Sequence, residues 1–246
     1  MLPKFLKVSF VVPVLFFASC NDAEKTAESG TTADTSAAAS TSVETVAPAS
    51  TIVTTPQAMM LVRQKVGDFQ KWKAAYESVD SMRQANGLHK YILGRGLKDS
   101  NTVLVITKAD DAAKAQAFAK SPGLKAAMQK AGVIGTPTIW VTNTVFQDTA
   151  GIGDAIRTIT TFKVKSWDTW QKVFPEGSQE RIDNGLVVRA FGNSVDDSNR
   201  VVLGTALTDT AKAFSYYKSD ALKKRREASG AIGEPERFLY RIVQRY

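Results

Sequence analysis

The hydrophobic positions of this chain change period several times, and each change marks an element. Met59 to Val66 is apolar and extended. Phe69, Trp72, Tyr76, Val79 and Met82 then recur at helical spacing behind Asp68, whose carboxylate can cap the first turn. Gly87 is placed to end that helix, because glycine enters the left-handed region without a Cβ clash. Leu88 to Gly94 and Thr102 to Thr107 read as strands around an Asp99-Ser100-Asn101 turn. A second helix follows, capped by Asp110 or Asp111, with Ala115 and Phe118 inward. Ser121-Pro122 restarts it as N-cap and first-turn proline, Leu124 and Met128 continue its buried face, and Gly132 closes it. Pro137 leads into a last strand, Thr138 to Phe146.

The whole order then returns. At a fixed offset of 98 residues, with no gap, Val66 matches Val164, Trp72 matches Trp170 and Arg83 matches Arg181. Asn86-Gly87-Leu88 matches Asn184-Gly185-Leu186, and Asp99-Ser100-Asn101 matches Asp197-Ser198-Asn199. Ser121, Leu124-Lys125, Gly132, Ile134, Gly135 and Pro137 find Ser219, Leu222-Lys223, Gly230, Ile232, Gly233 and Pro235. Roughly two dozen identities in one register mark an internal duplication. One departure stands out: Pro175 and Gly177 should break the first helix of the second copy. Each copy reads strand, helix, strand, strand, helix, strand. That order suits a ferredoxin-like βαββαβ unit, an antiparallel sheet with both helices on one face. The other face is left bare, and two copies bury it by pressing sheet to sheet. The predicted class is α+β, with tandem ferredoxin-like repeats forming an intramolecular pseudo-dimeric α/β barrel.

The pattern of Val66, Trp72, Arg83, Gly87, Asp99 and Asn101, then Ser121-Pro122-Gly123-Leu124-Lys125 and Met128, then Ala131-Gly132-Val133 and Pro137, resembles the dimeric α/β-barrel superfamily. Within it the chain is similar to the small proteins of the antibiotic-biosynthesis-monooxygenase type. The resemblance covers residues 58–148 and 155–246. It implies the fold and leaves the activity open. Members include cofactor-free monooxygenases of aromatic polyketides, haem-degrading enzymes and proteins with no assigned activity. It also implies that a substrate would sit in the barrel between the paired sheets.

Ahead of the repeats lie two unlike segments. Lys4 and Lys7 precede Val8 to Phe17, an apolar run too short to span a bilayer, so residues 1–19 read as a signal peptide. Phe17-Ala18-Ser19-Cys20 resembles the lipobox of bacterial lipoproteins, with Phe17 where leucine is usual. That resemblance implies cleavage before Cys20, lipidation of its thiol and attachment to a bilayer. Residues 20–55 are rich in Ala, Thr and Ser and lack aromatic side chains, so they are predicted to be a disordered tether. The two repeats then occupy residues 56–150 and 151–246. The expected location is the cell envelope, as an outer-membrane-anchored lipoprotein, periplasmic or surface-exposed.

Charge and composition sharpen this division. The formal charge is +8 over 246 residues, but the tether carries −4 and the signal +2, so the repeats carry +10. Nucleic acid is nevertheless not the expected partner, because the signal points out of the cytoplasm and no nucleic-acid-binding motif accompanies the basic residues. One cysteine and one histidine exclude a disulfide framework, a multi-cysteine zinc site and an imidazole-rich metal centre. No metal and no cofactor is assigned. Trp72 and Trp170 lie on apolar helical faces and are read as core. Lys223-Lys224-Arg225-Arg226 is read as a solvated face near a helix C-terminus. The candidates for a ligand pocket are His89, Tyr91, Trp140 and Arg189. Strand alternation would put His89 on the same face as Tyr91 and Leu93.

Three functions follow. The first is a barrel that binds a small apolar or aromatic molecule, or an envelope partner. The second is a cofactor-free monooxygenase of a hydroxyquinone- or anthrone-like substrate, with catalytic candidates His89 as base and Arg189 or Tyr91 as stabiliser. The third is a structural module with a filled barrel. Self-association beyond the pseudo-dimer is left open.

Overall fold

A computed structural model describes residues 50–246. The signal peptide, Cys20 and most of the tether lie outside the described residues. The first repeat contains β2 (Gln57–Val66), α1 (Phe69–Ser78), α2 (Asp80–Ala85), β3 (Leu88–Gly96), β4 (Thr102–Ala109), α3 (Ala112–Ala119), α4 (Pro122–Lys130) and β5 (Val133–Asp148). Ahead of it stands β1 (Ile52–Val53). The second repeat follows with β6 (Ile156–Val164), α5 (Trp167–Val173), α6 (Ser178–Asp183), β7 (Leu186–Ser194), β8 (Arg200–Leu207), α7 (Thr210–Tyr217), α8 (Asp220–Ala228) and β9 (Ala231–Arg245).

Local chemistry accounts for most of the boundaries. Asp68, Asp111, Ser121, Ser166, Asp209 and Ser219 each sit in an extended conformation, and each side chain accepts from an N–H three residues on. Those bonds satisfy donors that a helix start leaves orphaned. Pro175 does interrupt the first helix of the second repeat, where Phe174–Gly177 forms a 3-10 turn. The first repeat breaks its helix at the matching place without proline, at Val79. There Arg83 Nη2 donates to the Tyr76 carbonyl at 2.7 Å, in place of a helical N–H.

Two strand boundaries differ from the pattern reading. β5 starts at Val133, upstream of Pro137, because a bulge absorbs the proline. Arg63 pairs with Thr138 and Lys65 with Ile134, so four steps on β5 oppose two on β2. Gly135, at φ +71, turns the chain inside that bulge. β9 repeats the device, with Thr161 opposite Glu236 and Lys163 opposite Ile232. The second difference is β1. The last residues of the expected tether pair with β5, Ile52 opposite Asp148 and Val53 opposite Gln147. They take up the β5 edge beyond the reach of β2, whose pairing with β5 begins at Gln57–Thr144.

The strands close on themselves in the order β5-β2-β4-β3-β9-β6-β8-β7, with β7 pairing back to β5, and every pair is antiparallel. The seams between repeats are β3–β9 and β5–β7. Since neighbours alternate in direction, β5 and β9 run the same way. The pseudo-two-fold therefore runs along the barrel, and residues 98 apart in sequence lie at the same height. Glycines stand at both seams. A Cβ on Gly94 would lie 2.3 Å from the Tyr240 ring, and one on Gly192 would lie 2.2 Å from the Asn143 carbonyl oxygen.

Helices cover the outside of each four-stranded sheet. Trp72, Leu88, Leu93, Val103 and Phe118 are buried beneath those of the first repeat. In the second repeat Trp170, Phe191 and Val201 form one such cluster, and Leu186, Leu207 and Tyr216 another. Inside the barrel Met59, Leu61, Leu104, Ile106, Trp140, Ile159, Val202 and Tyr240 pack together. An eight-stranded barrel is just wide enough for side chains to fill it. No helix among the described residues is long and apolar enough to cross a membrane.

Candidate functional site

The barrel interior is closed at one end and open at the other. At the closed end Trp140 and its counterpart Phe238 flank Arg63, whose Cζ lies 5.4 and 5.7 Å from their ring centres. Arg63 Nη2 also meets Glu236 Oε1 at 2.6 Å. Trp140 thus packs inside the barrel and is buried there. At the other end a cavity of about 750 Å³, counting the solvent at its mouth, is lined by Tyr91, Arg157, Arg189 and Arg245 over Met59, Leu61, Ile106 and Ile159.

Tyr91 and Arg189 reach this cavity for a shared reason. Lys90 opposes Thr107 and Ile92 opposes Ile106, so Tyr91 is an extra residue in β3. Val188 opposes Thr205 and Ala190 opposes Gly204, so Arg189 is the extra residue in β7. A bulge re-aims one side chain and resets the alternation after it. His89 therefore does not join them. It is half-exposed, its Nε2 is 2.9 Å from Asp110 Oδ1, and it does not line the cavity. Leu93 faces the helix-side core of the first repeat. Arg189 is tied down, with Nη1 2.5 Å from Asp148 Oδ2 and Nη2 bonded to the Ala150 carbonyl.

A second space lies outside the barrel, between sheet and helices. In the second repeat it measures about 870 Å³ including open solvent, and its walls include Trp170, Phe174, Tyr216, Tyr217, Arg181 and Arg237. The first repeat divides the corresponding space in two, about 530 Å³ beside Arg83 and about 870 Å³ beside Ile139, each including open solvent. The two copies treat the arginine on this wall differently. In the first repeat Arg83 donates from Nε to Asp80 Oδ1 at 3.2 Å, from Nη2 to Asp80 Oδ1 at 3.0 Å and to the Tyr76 carbonyl, while stacking on the Tyr76 ring. In the second repeat Arg181 stacks likewise on Phe174, but Ser178 stands where Asp80 would be. Arg181 is 7% exposed and its Nε has no partner. Burial lowers its pKa to about 10, with Tyr216 opposing the shift and Arg225 adding to it.

Two more polar atoms on these walls are orphaned, Arg237 Nε and the Tyr217 hydroxyl. Arg237 replaces Ile139 of the first repeat, and its Cζ lies 4.4 Å from the Tyr217 ring centre. The basic run divides here: Lys223 and Lys224 are exposed, whereas Arg225 and Arg226 turn toward the sheet and line the space. Arg225 Nε is held by Glu180 Oε2 at 2.5 Å, and Glu180 Oε1 accepts from Tyr216 at 3.1 Å. The space therefore combines aromatic walls with guanidinium donors left unsatisfied by the protein, which suits an aromatic or apolar body carrying an anionic group.

An antiparallel barrel made from two ferredoxin-like repeats, with all helices outside, is the dimeric α/β-barrel fold, here completed within one chain. Solved structures share it. A candidate monooxygenase from Fusobacterium nucleatum superposes with a TM-score of 0.52 at 12% identity, covering 78% of this chain and 94% of that one. An anthrone oxidase-like protein gives 0.54 at 13% identity over 78% and 94%. A candidate chlorite dismutase gives 0.51 at 15% identity over 77% and 96%. No family model and no curated protein matches the chain.

Arg157, Tyr217, Arg237 and Arg245 were not singled out by pattern, and Arg181 only as the match of Arg83. For three of the arginines the signal lay in the mismatches of the duplication, where Arg157, Arg237 and Arg245 face Met59, Ile139 and Gln147 of the other copy.

Proposed function

We propose that this protein is an envelope lipoprotein, held by Cys20, that binds a small aromatic or apolar anion between the helices and sheet of its second repeat. The carrying observation is the pair of matched arginines. Arg83 gives its Nε and Nη2 to Asp80 and the Tyr76 carbonyl, while Arg181 keeps a buried, unpaired Nε in a cavity whose walls carry two further orphaned donors. A buried donor without a partner costs roughly 1–3 kcal/mol, and an anionic ligand removes that cost. The expectation that the ligand fills the barrel is narrowed by the eight packed side chains inside it, which leave room only at the mouth. The small-molecule chemistry named for the solved relatives accords with a binding role.

An imidazole-ligated haem does not suit this site, because the chain's one histidine, His89, is on the first repeat and faces Asp110. For the same reason the monooxygenase reading has no His89 base at either cavity.

The test is titration of a panel of aromatic carboxylates and hydroxyquinones, followed by tryptophan fluorescence, since Trp170 lines the site. At least one member should bind, and Arg181→Met with Arg237→Met should weaken it 10-fold or more. Silence across the panel, or binding unchanged in the double variant, overturns the assignment. Membrane attachment is tested separately: Cys20→Ser should move the protein from the membrane to the soluble fraction.

A further inference from the structure

The mouth of the barrel presents a different arrangement, which does not depend on the second-repeat cavity. Arg157 is 3% exposed and lines the mouth, and its Nη1 has no partner. Its one hydrogen bond among the described residues is long, from Nη2 to the Gly153 carbonyl at 3.5 Å. Arg189 and Arg245 line the same cavity, Asp148, already bound to Arg189, is the carboxylate in that lining, and Asp154 lines the adjoining space with Arg157 and Arg245. Below this basic rim the wall is apolar, built from Met59, Leu61, Ile106 and Ile159. Burial lowers the Arg157 pKa, opposed by Tyr240 and reinforced by Arg189 and Arg245. Burial also pushes the Tyr240 hydroxyl up to about 12, so it stays a neutral group at the cavity wall.

We propose that the barrel mouth is a second binding site, for a small carboxylate with an apolar body, whose headgroup is taken by Arg157 Nη1. A guanidinium offers a planar fork that matches a carboxylate, and Arg157 is the buried member of this arginine set with an unpartnered nitrogen. The apolar floor selects an amphipathic acid over an inorganic anion. A buried charge with no partner is costly, so the site is built for an occupant and not for the stability of the barrel. Met59, at the matching position of the first repeat, shows that an apolar side chain of similar length fits this wall.

The test uses the full chain carrying Cys20→Ser with Arg181→Met and Arg237→Met, which remove the donors of the helix–sheet cavity, titrated calorimetrically with hexanoate, hexanamide and sulfate at matched ionic strength. Hexanoate should bind at least 10-fold more tightly than either of the others. Arg157→Met should reduce hexanoate to the hexanamide level and raise the Tm, while Arg157→Lys should keep part of the preference. Equal binding of acid and amide, equal binding of sulfate, or affinity retained in Arg157→Met overturns the proposal. So does a fall in Tm without loss of binding, which marks a structural arginine. No hexanoate binding in this background, with binding present when Arg181 and Arg237 are kept, places the acid in the helix–sheet cavity and also overturns it.

Discussion

The two repeats share a backbone and differ in how they treat their buried polar groups. In the first, Arg83 gives Nε and Nη2 to Asp80 and the Tyr76 carbonyl, the space beside it is lined by Met60 and Val62, and Ile139 lines the neighbouring one. In the second, those three positions hold Thr158, Thr160 and Arg237, and Arg181 has lost its carboxylate. Thr158 and Thr205 satisfy each other across the sheet at 2.7 Å, so the polar substitutions are not careless packing. The first repeat is not free of orphans, for Gln64 Oε1 is one, but that is a single acceptor, whereas the second repeat leaves donors unpaired. One half is therefore built to hold itself together, and the other keeps donors in reserve.

The strongest way to break this comparison is at the seams. Alanine at Gly192 would bring its Cβ within 3 Å of three backbone atoms of Asn143 and Thr144, whereas at Gly94 the nearest atoms belong to a side chain, the Tyr240 ring, and not to backbone. Gly192→Ala should cost about 3 kcal/mol, the upper end for overpacking, and Gly94→Ala clearly less, both read from urea unfolding. Next in size is an exchange of the arginine partners. Asp80→Ser should destabilise by about 2 kcal/mol, the worth of a hydrogen bond to a charged group. Ser178→Asp should stabilise the protein and abolish binding in the second-repeat cavity, measured by the same unfolding and by titration.

The smallest effect is acid-linked. Burial works against ionising Glu77, but hydrogen bonds from Lys90 and Tyr246 prevail and lower its pKa to about 2. A depressed carboxylate contributes stability above its unfolded value, near 4.5, and that contribution is lost as pH falls from there toward 2. Solvent screening limits it to about 1 kcal/mol. Pro175 occupies the matching position, so Glu77→Gln should remove this part of the acid dependence of unfolding, with no equivalent in the second repeat.

Much of the fold was legible because the chain says it twice. Trp72 with Trp170, the Asp-Ser-Asn turns and the Ser-capped second helices identify the repeating unit, and bare sheet faces dictate the pairing. The candidate sites were harder to see. Alternation placed His89 beside Tyr91, but the bulge at Tyr91 breaks the two-residue period, and no local residue pattern announces it. Arg189 was found, yet its donors are held by Asp148 and Ala150. Arg157 and Arg237 look like ordinary strand residues until each is set against Met59 or Ile139. Identities between the copies describe the scaffold; the mismatches point to the cavities.

The covalent joining of the repeats has a consequence for what the barrel can contain. In a dimer of identical subunits, the two-fold axis copies every side chain to the same height across the interior. An arginine in place of Met59 would then appear twice, and two unpaired guanidinium groups would repel each other inside one small cavity. Fusion lifts that obligation. Here Arg157 shares the mouth with a methionine, so a single buried cation can be kept without its mirror image.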